Sequence, residues 1–151
     1  MRRKEREITD TAEIESILKS AEVATLALID GDTPYALPLN FGYRERTLFI
    51  HCALEGRKID MLRRHPSVAF SVFDNYAVIR GETACHWGVR YRSVLGTGRV
   101  RFITDAAEKK RALDILMSKF TEGPFVYDEK QMSRTCTFAV DIATMSGKQK
   151  L

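Results

Sequence analysis

The stretch Glu55-Gly56-Arg57-Lys58-Ile59-Asp60 carries the most concentrated chemistry in the sequence. It follows an apolar run, and Ile59 and Leu62 then share one helical face, so two adjacent cations sit in the first turn of an expected short helix. A helix start already bears partial positive charge, which makes each cation there unfavourable by about 0.3–1 kcal/mol. A bound anion reverses that sign. Free backbone N–H groups, the helix dipole, the Arg57 guanidinium fork and the Lys58 ammonium would converge on one phosphate, with Gly56 letting the backbone come close. The competing reading is that both side chains simply extend into water, and Glu55 opposes an anion unless it points away.

A second constellation lies between Tyr35 and Tyr43. Its odd positions, Tyr35, Leu37, Leu39, Phe41 and Tyr43, form a bulky face suited to a core; its even positions, Ala36, Pro38, Asn40 and Gly42, are small or polar. A flat ring could lie on the second face, with backbone groups and Asn40 bonding its heteroatoms, although an ordinary solvent-facing side gives the same pattern. Pro38 donates no ladder hydrogen bond and marks an edge or bulge. His51 and Cys52 end the next apolar run, just before the Arg-Lys pair. His51 is the one nearby group whose ordinary pKa suits acid–base work at neutral pH, which makes it the candidate catalytic residue; Cys52 reads more simply as packed. No spacing of His and Cys supports a metal site. Gly-x-Gly-x-x-Gly, Walker, Gly-x-Ser-x-Gly and His-Glu-x-x-His signatures are all missing.

Those residues need strands to hold them. Asp10-Thr-Ala-Glu13 has capping-box spacing and opens a helix that buries Ile14, Ile17 and Leu18. Val23 to Ile29, Tyr35 to Tyr43 and Thr47 to Cys52 read as three strands joined by turns at Asp30-Gly-Asp32 and Arg44-Glu-Arg46, and such short links require antiparallel pairing. His65-Pro66 ends the helix begun at Glu55. Ser67 to Phe73 and Arg92 to Ile103 follow as strands, the latter bent or closely approached at Gly96 and Gly98. A second capping box, Asp105-Ala-Ala-Glu108, opens a helix with Ala112, Leu113, Leu116 and Phe120 inward; Thr121 to Arg134 reads as loop, Thr135 to Ile142 as the last strand, and the rest as a polar tail. The fold class is mainly β: a single domain over residues 1–151, an antiparallel barrel of about six strands with peripheral helices.

Composition narrows the function further. At 44% apolar and 29% charged residues, the chain fits an ordinary globular domain, and no run approaches a membrane span. Three widely spaced cysteines suit a reducing compartment, so a cytoplasmic location is expected. Much of the net charge of +4 sits in Met1 to Arg6, leaving a balanced body better suited to a small anion than to nucleic acid.

Taken in order, Pro34-Tyr-Ala-Leu-Pro-Leu-Asn-Phe-Gly-Tyr43, Leu48-Phe-Ile-His-Cys-Ala-Leu-Glu-Gly-Arg-Lys-Ile59, His65-Pro-Ser-Val-Ala-Phe70, Tyr91-Arg-Ser-Val-Leu-Gly-Thr-Gly-Arg99 and Val140-Asp-Ile-Ala-Thr-Met-Ser-Gly-Lys148 resemble the pyridoxamine 5′-phosphate oxidase-like flavin-binding split barrels. Within them the sequence is most similar to the 5-nitroimidazole resistance (Nim-like) subgroup. The resemblance implies a homodimer with flavin mononucleotide (FMN) at two inter-subunit sites. Arg57 and Lys58 match the phosphate-binding pair, Pro38, Leu39 and Asn40 the strand lining the ring, and His51 and Cys52 the end of the next strand. Ser93 falls where the broader family often carries a glutamine near the phosphate. The implied activity is an oxidoreductase that passes electrons from a reduced nicotinamide to a small, nitroaromatic-type acceptor. The alternative is a non-catalytic flavin-binding or haem-binding split barrel. The chain departs from pyridoxamine phosphate oxidases proper by ending in Ser146-Gly-Lys-Gln-Lys-Leu151, without their basic and aromatic C-terminal region.

Overall fold

The computed structural model describes residues 3–151, so Met1 and Arg2 of the basic N-terminus lie outside the described residues. After a short 3-10 turn, the elements run β1 (Glu7–Ile8), α1 (Thr11–Ser20), β2 (Val23–Asp30), β3 (Thr33–Asn40), β4 (Gly42–Arg44), β5 (Thr47–Ala53), α2 (Arg57–Arg64), β6 (Ser67–Ile79), β7 (Gly88–Phe102), α3 (Ala106–Met117), α4 (Glu129–Ser133) and β8 (Thr135–Lys150). All strands join one antiparallel sheet in the order β3-β2-β6-β7-β8-β5-β4, with β1 added to β8. The sheet curls around Leu26, Phe41, Leu48, Ile50, Phe70 and Phe138, all fully buried. Strict alternation drives the curl: β2 buries Ala24, Leu26 and Leu28, and β6 buries Val68, Phe70 and Val72, while their neighbours face outward. Helix α1, capped by the Asp10 carboxylate on the Ala12 N–H (3.0 Å), lays Ile14, Ile17 and Leu18 against that interior.

Among the described residues eight strands form rather than about six, and β3 does not pair with β5. The strand read as continuous from Tyr35 to Tyr43 breaks at the buried Phe41. Its first half pairs with β2 on one edge of the sheet, and its second half pairs with β5 on the other. The barrel is therefore split along the seam between β3 and β5.

Three other expectations change. The polar end of the chain continues β8 to Lys150, because β7 on one side and β1 on the other supply backbone partners that outweigh a weak side-chain pattern. Asp128 caps a short α4 by accepting from the Gln131 N–H at 2.8 Å, so part of the expected loop is helical; Asp128-Glu-Lys-Gln131 has the capping spacing that signals it. Phe120 lies beyond the end of α3 and is exposed, whereas Ala112, Leu113 and Leu116 are buried as their period requires.

Two contacts set strand and helix positions, one at the centre of the sheet and one beside Phe41. Gly96 admits the Phe70 ring: a Cβ there would overlap it and stand 2.7 Å from the Thr144 carbonyl oxygen. Lys119, just past α3, donates from Nζ to the Leu18 (3.0 Å) and Ala21 carbonyls at the end of α1, and lies 3.5 Å from the centre of the Phe41 ring. It satisfies carbonyls that a helix C-terminus leaves unpaired, where a cation is favoured.

Gly96→Ala is expected to lower stability by about 1–3 kcal/mol through overpacking, seen as a reduced urea midpoint at constant m-value; an unchanged midpoint would mean that β6 and β8 shift freely. Burial, opposed by Glu22, pulls the Lys119 ammonium down to about 8 from its ordinary 10.5. Between those values the unfolded chain holds more protons, so this group's contribution rises with pH across the window and is flat below it. Urea titrations of wild type and Lys119→Met should accordingly diverge in favour of wild type as pH rises from about 8 to 10.5. A constant difference would contradict the depressed value.

Candidate functional site

The cationic end is built where β5 gives way to α2. Gly56 occupies the position before the helix with φ 118° and ψ 168°, backbone that favours glycine, and open space surrounds the place of a Cβ. Its carbonyl accepts from the N–H groups of Ile59 (2.8 Å) and Asp60 (3.2 Å). The N–H groups of Arg57 and Lys58 have no acceptor among the described residues. Arg57 donates from Nε to Asp30 Oδ2 at 3.1 Å, and its guanidinium carbon lies 4.9 Å from the centre of the Tyr35 ring. Arg64, two turns further along the same face of α2, donates from Nη2 to Asp30 Oδ1 at 2.8 Å. The first-turn cations are thus not wholly unopposed: one carboxylate steers Arg57 and leaves its two terminal nitrogens for another partner. Lys58 is half-buried, with its ammonium against the Cys52 thiol.

The second end lies on the seam. Val23, Pro38, Leu39, Asn40 and His51 line one cleft of about 340 Å³. Pro38 and Asn40 are exposed and Leu39 is half-buried against the core, as the alternation of β3 requires. Asn40 donates from Nδ2 to the Glu22 carbonyl at 3.2 Å, which holds the end of β3 to the start of β2. Because β3 borders only β2, backbone groups on its other edge are free to meet a planar ligand. His51 is exposed and enters from β5. Tyr35, beside Arg57, and Pro38, in the cleft, are three residues apart on one strand, a separation of about 10 Å.

The structure gathers Pro38, Leu39, Asn40 and His51 in one place, and Gly56, Arg57 and Lys58 in another. Cys52 follows His51 by one residue, so its side chain turns to the opposite face of β5 and packs against the core; burial pushes its thiol up to about 11. Ser93 sits on β7, its hydroxyl 3.4 Å from the Lys148 carbonyl oxygen. Following the pairings Asn40–Val23 and Phe73–Ser93 across the sheet puts it about 14 Å from Asn40, three strand spacings away. Within one chain that separation puts it out of reach of the β3–β5 cleft. Asp30 and Tyr35 were read as turn and core residues, and only the pairing of β2 with β3 reveals that both face α2. A larger cavity of about 750 Å³ opens beside the start of α3, between it and Phe125, Tyr127 and Met132, and contains none of the candidate residues.

A family model for pyridoxamine 5′-phosphate oxidase matches residues 10–149. A proposed 5-nitroimidazole antibiotic resistance protein from Bacteroides thetaiotaomicron superposes with a TM-score of 0.84 at 33% identity, covering 95% of this chain and 86% of that one. A protein from Mycobacterium smegmatis described as binding FAD and heme gives a TM-score of 0.84 at 25% identity over 96% of this chain and 73% of its own. A flavocytochrome from Azotobacter vinelandii, at 21% identity and a TM-score of 0.85, covers all of this chain with 72% of its own and attests the fold alone. No curated protein matches. The split sheet, the order of its strands and the match along nearly the whole length agree: the chain belongs to the pyridoxamine 5′-phosphate oxidase family.

Proposed function

We propose that this protein binds FMN and works as a flavin-dependent oxidoreductase. The observation that carries the reading is the start of α2, where two N–H groups without acceptors, a steered guanidinium and a half-buried ammonium surround open space above Gly56. That donor set fits a phosphate. The cleft between β3 and β5 offers a free sheet edge to a planar ring. One fork and one ammonium suffice for a monophosphate, which favours FMN over a dinucleotide. A structural relative described as binding FAD and heme supports a cofactor-binding role for this barrel.

Arg57 and Lys58 would hold the phosphate, Pro38, Leu39 and Asn40 would bound the ring, and His51 would face its edge. The bound flavin supplies two-electron transfer between a reduced nicotinamide and a small aromatic or nitro acceptor. His51 is placed to donate or accept a proton at the cleft. A homodimer completes the reading. Val23, Phe73 and Leu95 on the outer face of β2, β6 and β7 expose 45%, 63% and 59% of their surfaces, and Tyr76 and Trp87 extend the apolar surface along the β6–β7 arm. A patch of that kind marks an interface. Placed across it, Ser93 of a second copy is a candidate phosphate contact.

Arg57→Ala should weaken FMN binding about tenfold or more, the scale of one lost charge-assisted contact, in a flavin-fluorescence titration. Equal affinity in the variant would remove the phosphate site. FMN-loaded wild type should oxidise a reduced nicotinamide in steady state, and His51→Ala should slow this turnover while retaining the flavin. Retained flavin with no turnover in wild type would leave a carrier or sensor, and a Soret band in the purified protein would move the reading to haem. Sedimentation should give a dimer that Phe73→Glu dissociates; a monomeric wild type would refute the paired-site arrangement.

A further inference from the structure

Cys52 and Cys136 stand directly opposite each other on β5 and β8. Side chains of directly paired residues share a face, so both thiols point to the same side. Neither takes part in a disulfide, and both are half-buried. Opposed residues in antiparallel strands have Cα separations of about 4.5–5.5 Å, inside the range of about 4.4–6.8 Å that a disulfide spans. Cβ atoms need approach by only about 1 Å to reach bonding geometry, at the last rungs of a ladder that ends at Ala53 and Thr135. The Lys58 ammonium rests against the Cys52 side of this pair.

We propose that Cys52 and Cys136 form a reversible cross-strand disulfide, and that its state is read at Lys58. The oxidant is a low-molecular-weight disulfide. Cys136 gives up its proton and attacks one sulfur of the oxidant, forming a mixed disulfide and releasing one thiolate. Cys52 then attacks the Cys136 sulfur, closing the intramolecular bond and releasing the second thiolate. The two cysteine protons end on the two released thiols, so the protein pair loses two electrons and the small disulfide gains them. The Lys58 ammonium steadies the Cys52 thiolate as it forms for the closing step. Closure removes the thiol that Lys58 contacts and ties the end of β5 to β8. The ammonium is then left to its other partner, and the start of α2 is held more firmly. The bond itself stands independently of the flavin reading; its effect through Lys58 rests on that reading.

The exposed Cys85 would collect adducts of its own, so the test uses full-length Cys85→Ser protein equilibrated with mixtures of reduced and oxidised glutathione. Thiol titration should find two free thiols in the reduced form and none in the oxidised form. The intact mass should fall by two hydrogens, and digestion should yield one peptide pair joined through Cys52 and Cys136. Free thiols persisting in oxidised glutathione, or separate glutathione adducts on each cysteine, would overturn the disulfide. FMN affinity should be about threefold or more tighter in the oxidised form, and Cys85→Ser/Cys136→Ser protein should show no such response. Equal or weaker affinity after proven closure would overturn the coupling to Lys58. Protein that closes the bond yet takes up FMN in neither state would leave the disulfide standing and defeat the flavin reading instead.

Discussion

Phe41 is where the chain leaves one edge of the sheet for the other. Its ring is fully buried, so the backbone there turns inward, and the residues on either side pair with different neighbours. An antiparallel sheet whose consecutive strands lie on opposite edges cannot close into a continuous ring of hydrogen bonds. It must leave a seam, and a seam presents unpaired backbone groups. In most proteins such an edge is a liability. Here Pro38 blunts it by removing a donor, and a cleft forms along it between β3 and His51. The catalytic candidate and the ring wall thus depend on one buried aromatic side chain.

The electrostatics of the other end are decided by magnitudes. Asp30 pairs with Arg57 and Arg64, but both guanidinium side chains remain more than half exposed (56% and 58%). Such pairs contribute about 0–1 kcal/mol, because water screens the attraction and two long side chains lose freedom. A phosphate contacted by charge-assisted bonds and two helix-start N–H groups offers Arg57 more than Asp30 does. Asp30 therefore orients the guanidinium without competing for it. Its two-sided engagement also fixes the start and end of α2 against the β2–β3 turn, so the helix that carries the cations is tied to the strand that carries the ring wall.

Much of this was legible in the chain because local chemistry dictated it. The caps at Asp10 and Asp105, the alternation in β2 and β6, and the cations after Gly56 are short-range signals, and each appears where its spacing requires. What escaped was set by long-range pairing. Nothing local distinguishes a strand that continues from Asn40 to Gly42 from one that breaks between them, since the odd residues face inward in either case. The terminal run after Ile142 is polar and reads as a tail until β1 and β7 supply partners on both sides. Asp30 looks like half of a turn, and its second role exists only because the hairpin folds beside α2. Ser93 draws its role from a resemblance that puts the site between two subunits, so pairing within one chain gives no sign of it.

The two ends of the site are braced very differently. At the ring end, Lys119 binds the last carbonyls of α1 and lies over Phe41, while Asn40 is tied to the Glu22 carbonyl. The entry to β2 and the exit from β3 are thus locked to a buried core. Nearby, Arg92 pairs with Asp74 in a largely buried setting, and Ser20 at the end of α1 bonds the same carboxylate. At the start of α2 the glycine is exposed with open space around it and the ion pairs are screened, although Ile59, Met61 and Leu62 anchor the rest of the helix. Rigidity follows buried contacts, and local adjustment follows their absence. Electron transfer to a second molecule demands a ring held at a fixed angle and depth, whereas a phosphate can be gathered by side chains that move to meet it. On the flavin reading, firm support would lie where orientation governs rate, and the exposed glycine where capture needs charge.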